Sequence, residues 1–142
     1  MIHKSVLLAC PPPRAFALFT TRISDWWPPS RRHTKDPQSH IELLASGRFY
    51  ERSREGHEVE LGRVVSFEPP VRIVLDFYVG TDPGHPTIVE ITFAGEPDGT
   101  RITVDHRPTE KSREMWNARA PRFEESWQLV VEALSHARLD DW

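Results

Sequence analysis

The sequence predicts an α+β fold in which a curved antiparallel sheet of about seven strands packs on one long C-terminal helix, with two short helices after the first strand. Three observations predict it. From Ile41 onward, runs of alternating apolar and polar residues recur, the pattern of strands buried on one face. The separators between these runs are too short for the crossovers that parallel strands need, so neighbours must be antiparallel. In the closing segment Trp116, Ala120, Phe123, Trp127, Val130 and Leu134 recur at alternating spacings of four and three, the apolar stripe of a helix. Strands first and an aromatic-striped helix last imply a sheet wrapped around a helix, with room for a ligand between.

Taken in order, Ile2, Val6, Leu8 and Cys10 share one face of a first strand on which Lys4 is the one polar residue, and Pro11, Pro12 and Pro13 end it. Pro12 or Pro13 can occupy the first turn of a helix, where a missing N–H costs little. Phe16, Phe19, Ile23 and Trp26 then follow at spacings of three, four and three, giving one or two short helices stopped at Pro28 and Pro29. Residues 30 to 40 are polar and aperiodic and read as a loop. Strands are expected near 40–45, 47–53, 57–68, 71–80, 86–95 and 100–107, separated by Arg54-Glu55-Gly56, Pro69-Pro70, Pro83-Gly84 and Pro97-Asp98-Gly99. Strict alternation puts Val59, Leu61, Val65 and Phe67 on the same face as Ile73, Leu75, Phe77, Val79, Val89, Ile91, Phe93, Ile102 and Val104.

The final helix is expected to cover that face and to start near Ala120, because Pro121 fits a first turn and would kink an interior. Trp116 then belongs to the approach. Burial of Phe123, Trp127, Val130 and Leu134 at ~1.5 to 3 kcal/mol each gives an upper estimate on the order of 10 kcal/mol, comparable to the stability of a whole domain. Such a helix is core.

The 142 residues fit a single domain spanning 1–142, long enough to bury roughly two thirds of the unfolded surface. With 38% hydrophobic residues, 27% charged residues and five Trp, the composition is that of an ordered soluble protein. A net charge of −3 supplies no global basic field, which argues against a nucleic-acid partner. The one basic cluster, Arg31, Arg32, His33 and Lys35, lies in the polar loop and reads as a solvated stretch in preference to an anion site, and it is given no role. A single Cys10 leaves no internal disulfide, which fits the cytoplasm expected for this protein. The apolar run Val6 to Cys10 is too short for a signal peptide. No stretch approaches the ~20 apolar residues of a membrane span, so no membrane association is expected.

Two polar residues fall on the face assigned inward, Arg63 between Leu61 and Val65, and His106 two places after Val104. An unpaired buried charge is costly, so each needs a partner, a strand end or a solvated cavity. Glu51 could pair with either. Arg63 is thus a satisfied ion pair at a sheet edge, a face misassigned by a bulge, or a cavity-lining cation, and Val64-Val65 leaves the register open. His106 is a structural hydrogen-bonding group or a ligand contact. In an apolar pocket desolvation would lower its pKa and leave a neutral imidazole able to donate or accept one hydrogen bond.

The seven histidines show no HxH or HExxH spacing, and no cysteine pair exists, so no metal is expected. No Gly-rich phosphate loop indicates a nucleotide cofactor, and none of any kind is assigned. Cys10, followed by three prolines, reads as a small buried residue. Trp26 and Trp27, beside Pro28-Pro29, divide between core and cavity rim.

The full order of elements resembles the START-like (Bet v 1-like) helix-grip fold of the SRPBCC superfamily. Local wording narrows the resemblance. Pro12-Pro13-Arg14-Ala15-Phe16-Ala17-Leu18-Phe19, Trp26-Trp27-Pro28-Pro29, Gly47-Arg48-Phe49-Tyr50-Glu51, Gly62-Arg63-Val64, Phe67-Glu68-Pro69-Pro70, Asp98-Gly99-Thr100 and Ser126-Trp127 with Leu134 resemble the activator-of-Hsp90-ATPase-homologue (AHSA1) branch over residues 2 to 138. Where that branch usually has Gly-Trp in the last helix, this chain has Ser126-Trp127. The resemblance implies a cavity between sheet and helix that takes lipid-like, aromatic or polyketide-like molecules in related families, and it implies no common reaction.

The leading reading is therefore a protein that binds a small hydrophobic or aromatic molecule without catalysing a reaction. Its expected lining is Trp26, Tyr50, Arg63, Phe77, Phe93, His106, Trp116, Phe123 and Trp127. A second reading is a cyclase or hydrolase in the same cavity, with Arg63 as electrostatic stabiliser and His106 or Glu51 as acid or base. A third is a co-chaperone-like module with a protein partner, which would need an exposed patch in place of a cavity.

Overall fold

The computed structural model describes residues 1–139. Strand β1 (Ile2–Leu8) leads into helices α1 (Pro12–Phe19) and α2 (Ile23–Trp26) and a 3₁₀ turn at Pro29–Arg31. Strands β2 (His40–Leu43), β3 (Arg48–Arg52), β4 (Glu58–Glu68), β5 (Arg72–Phe77), β6 (Thr87–Glu96) and β7 (Gly99–Pro108) follow, and helix α3 (Arg113–Ser135) ends the fold. All seven strands form one antiparallel sheet in the order β1-β7-β6-β5-β4-β3-β2. The six later strands make the expected meander, and β1 returns to pair beside β7.

The period-two pattern explains the inner face. Ile73, Leu75 and Phe77 lie opposite Ile91, Val89 and Thr87, and Val89, Ile91 and Phe93 lie opposite His106, Val104 and Ile102. These residues are almost wholly buried. Lys4, the polar exception on β1, reaches α3, where its ammonium pairs with Glu124 at 2.7 Å and donates to Gln128 at 3.1 Å. The strand residue that broke the alternation thus fastens an edge strand to the covering helix.

Alternation fails on β4, and the failure corrects two expectations. Opposite Phe49 and Tyr50 stand Gly62 and Glu60, so Leu61 is an extra residue in a bulge. A bulge shifts the parity of everything after it. Val64 therefore turns inward in place of Val65, which is 60% exposed, and Arg63 turns outward to solvent. A second irregularity at Val65 restores the parity, so that Phe67 packs edge-on against Phe16 at 5.2 Å. Gly62 permits the first bulge because a Cβ there would collide with the Asp76 carbonyl oxygen.

Helix α3 also departs from expectation, beginning seven residues before Ala120 and carrying Pro121 inside it. Trp116 is thus helical. Proline removes the hydrogen bond to the carbonyl four residues back, that of Asn117. Both Pro121 and Asn117 lie on the exposed side, where water can satisfy the freed carbonyl. Phe123, Trp127, Val130, Val131 and Leu134 form the buried stripe.

Gly62→Ala should lower stability by ~1 to 3 kcal/mol, the usual cost of forcing extra volume into a packed site. Urea denaturation measures this, and an unchanged midpoint would show that the bulge can relax around a methyl group.

Candidate ligand cleft

Between the concave face of the sheet and α3 lies a partly open cleft of about 470 Å³. Its floor is apolar. Phe49 and Leu61 come from β3 and β4, Phe77 from the end of β5, Val79 and Gly80 from the following loop, and Phe123, Trp127 and Val130 from α3. Trp27 closes one side, its ring 6.4 Å from that of Trp127 and nearly perpendicular to it. Gly80 has φ +79°, and a Cβ there would sit 2.6 Å from Phe123 Cε1, so its lack of a side chain lets the helix ring rest on the loop.

One hydrogen-bonded chain orders this wall. The Trp127 indole N–H, which can only donate, donates to His106 Nδ1 at 2.9 Å. Nδ1 is therefore unprotonated, and the proton of the neutral ring sits on Nε2, 2.7 Å from Thr87 Oγ1. The Thr87 hydroxyl then donates to the Phe77 carbonyl at 3.3 Å. His106 is wholly buried, with the rings of Phe77, Trp116 and Phe123 at 5.3, 5.1 and 4.4 Å. Desolvation, with added repulsion from the nearby N-terminal ammonium, lowers its pKa to about 3.

The loop of residues 30–39 is held by a buried arginine and a buried carboxylate. Arg32 donates to the carbonyls of Ser39, Ser24 and Trp27 at 2.5, 2.8 and 3.0 Å. Glu51, with no exposed surface, accepts from the backbone N–H groups of His33 and Thr34 at 2.8 and 2.9 Å and from the Thr34 hydroxyl at 2.6 Å. Desolvation alone would raise its pKa, but these hydrogen bonds outweigh it and the carboxyl lies below its ordinary value. The segment read as a solvated stretch with no role is instead clamped to the sheet, and it brings Arg31, Arg32, His33 and Lys35 to the cleft.

Of the residues expected to line a cavity, Phe77, Phe123 and Trp127 do. Trp26 does not; its indole donates to the Leu18 carbonyl at 2.8 Å within the core, and its neighbour Trp27 takes the rim. Tyr50 faces the other side of the sheet, bonded to Glu42 at 3.0 Å beneath the Arg48 guanidinium, which lies 3.7 Å from its ring centre. Phe93 packs against Phe16 and Phe19 away from the cleft, and Arg63 points outward from the bulged strand. His106 and Trp116 stand behind the wall. Glu51 pairs with neither Arg63 nor His106.

Trp27, read with Trp26 as divided between core and cavity rim, is the one of the two that lines the cleft, whereas sequence reasoning missed Phe49, Val79, Arg119 and Arg122 among others, besides the loop cations. Arg119 and Arg122 follow one another at a helical spacing of three, next to Phe123 and Ser126. That spacing was a usable signal. Among the described residues no three His, Cys, Asp or Glu side chains gather as a metal site, and no helix is long and apolar enough to cross a membrane.

Comparison with known proteins agrees with this geometry. Residues 9–137 match the family described as activator of Hsp90 ATPase homolog 1-like protein. The chain belongs to the AHSA1 family. No curated sequence matches it. Among solved structures, the AHSA1-family chain is similar to CalC of Micromonospora echinospora, described as a self-sacrificing resistance protein. The two share 22% identity and a TM-score of 0.71 over 94% of this chain and 90% of that one. Protein NE0264 of Nitrosomonas europaea is 16% identical with a TM-score of 0.64, covering 94% and 90% of the two chains. Protein CV1439 of Chromobacterium violaceum is 18% identical with a TM-score of 0.60, covering 99% and 98%. At these identities the likeness establishes the helix-grip fold.

The buried imidazole makes stability acid-sensitive. Above pH 6.5 it is neutral in both folded and unfolded chains and contributes no pH dependence. Below that value the unfolded chain binds a proton that the native state refuses until about pH 3, so stability falls by up to ~1.4 kcal/mol per unit. Between pH 7 and pH 5 the protein should lose ~2 kcal/mol more than His106→Gln does. Urea titrations of both proteins at the two pH values measure the difference, and equal losses would contradict the assignment.

Proposed function

We propose that this AHSA1-family protein binds a small molecule with an aromatic or otherwise apolar body in the cleft between the sheet and α3. The observation that carries the reading is the cleft itself. It is about 470 Å³, within the range of small-molecule sites, and its floor of Phe49, Leu61, Phe77, Phe123, Trp127 and Val130 offers apolar contact from three sides. The relay through His106 supports it further, because it holds the Trp127 ring in one orientation and so lowers the ordering cost of binding.

A catalytic reading built on Arg63, His106 and Glu51 lacks convergence. Arg63 is on the opposite face of the sheet, both nitrogens of His106 are occupied, and both oxygens of Glu51 hold the loop. General acid–base work requires a group within hydrogen-bond reach of a substrate, and none of the three offers one. The large exposed apolar side chains, Met1, Leu7, Val65 and Val71, lie away from the cleft lining.

An amide NMR titration of the labelled protein with lipids, flavonoids, polyketide-like aromatics and bile-acid-like compounds tests the reading. Saturable shifts should appear at Phe77, Val79 and the Trp27 and Trp127 indoles, and Ser126→Trp, which places a large ring in the cleft, should abolish them. Absence of any saturable response, or a response that Ser126→Trp leaves intact, would overturn it.

A further inference from the structure

The charge around the cleft is one-sided. Its lining carries Arg31, Arg32, Lys35, Arg119 and Arg122 and no Asp or Glu, in a chain whose acidic residues outnumber its basic ones by 21 to 18. Arg32 is engaged by the backbone carbonyls of Ser24 and Trp27, in and after α2, and of Ser39 in the loop. The other four surround the mouth. Arg31 has one distant partner, Glu125 at 3.7 Å, and Glu125 is largely exposed. Its Nε is buried without a hydrogen-bond partner. Arg119, Arg122 and Lys35 have no salt bridge among the described residues. On the outer face of the sheet, by contrast, Arg48, Arg52 and Arg72 are paired with Glu58, Glu60, Glu68 and Glu90.

These cations come from two separate elements. Arg119 and Arg122 project from α3, while Arg31 and Lys35 arrive on the loop that Glu51 ties to β3 and Arg32 ties to α2. Their meeting above an apolar floor produces a site with two chemically distinct ends. An apolar ring or chain entering the floor would place any attached anionic group at the level of the guanidinium groups, which are suited to two-pronged contact with carboxylate, sulfonate or phosphate.

We propose that the ligand of this cleft is an amphipathic anion, an aromatic or acyl body bearing one acidic group, with Arg119 and Arg122 as its principal charge-recognising residues. The proposal rests on the ligand-binding reading above and adds the class of molecule. Exposed cations at the rim with no salt-bridge partner among the described residues, Arg119, Arg122 and Lys35, favour such a ligand over a neutral one of the same shape, and salt weakens that preference by screening.

Two fluorescent probes with the same ring system separate the proposal from the reading beneath it. 8-Anilinonaphthalene-1-sulfonate carries an anion, and N-phenyl-1-naphthylamine does not. The sulfonate should bind about tenfold more tightly, and raising sodium chloride from about 20 to about 500 mM should erode that margin while leaving the neutral probe unaffected. The Arg119→Gln/Arg122→Gln variant should weaken sulfonate binding by about tenfold and neutral-probe binding by less than about twofold. The neutral probe thereby verifies that the variant is folded with its cleft intact. Equal affinity for the two probes, or sulfonate binding indifferent to the two arginines, would overturn the anion assignment and leave the ligand-binding reading standing. Failure of both probes to bind the unaltered protein would overturn both.

Discussion

The hydrogen bond from the Trp127 indole to His106 Nδ1 is the contact on which the rest of the arrangement depends. Because an indole nitrogen can only donate, this one bond fixes the tautomer of the imidazole and directs its proton to Thr87. Helix α3, strands β7 and β6 and the end of β5 are thereby joined through polar atoms inside an aromatic cluster. Such a network is worth having only when every member is satisfied, and here each ring nitrogen has a partner. The depressed pKa follows from the same burial. A proton on Nδ1 would abolish its only acceptor function and strand a charge among Phe77, Trp116 and Phe123.

Fixing Trp127 in this way shapes the cleft as well as the core. Its nitrogen is engaged with the sheet while its ring also forms part of the cleft wall. Opposite it stands Trp27, whose indole N–H reaches the Arg31 carbonyl at 3.3 Å and so ties the rim to the 3₁₀ turn. One wall of the site is therefore set by the core, and the other by a loop.

That loop has little apolar surface of its own and is ordered by polar contacts. The two terminal nitrogens of Arg32 and the two carboxylate oxygens of Glu51 bond mainly to backbone groups, which offsets much of the cost of burying them. Their engagement leaves Arg31 and Lys35 directed at the cleft, where helix α3 adds Arg119 and Arg122. The apolar floor and the basic mouth thus have different structural origins, and their combination gives the site its chemical polarity.

Much of the fold was legible in the sequence because its signals are local. Alternation along β5, β6 and β7, proline stops, turn residues and the spacing of Phe123, Trp127, Val130 and Leu134 each arise within a few residues, and the AHSA1 resemblance followed from their order. Phe77, Phe123 and Trp127 could be placed at a cavity on the same grounds. The misplacements of Arg63 and Val65 came from the Leu61 bulge, which changes strand parity without leaving a periodic mark. Trp26 and Trp27 were adjacent and chemically alike, so only the path of the chain between α2 and the 3₁₀ turn could choose between them. Tyr50 and Arg32 were misjudged because burial of a polar side chain depends on partners distant in sequence, here Glu42 for the one and carbonyls of Ser24, Trp27 and Ser39 for the other. The sequence by itself determined the six-strand meander and the covering helix, since local periodicity and short turns dictate which strands neighbour one another and which face must be buried. Only the tertiary structure decided which side chains meet at the cleft, because that depends on bulges, buried hydrogen bonds and a loop whose position is set by residues far along the chain.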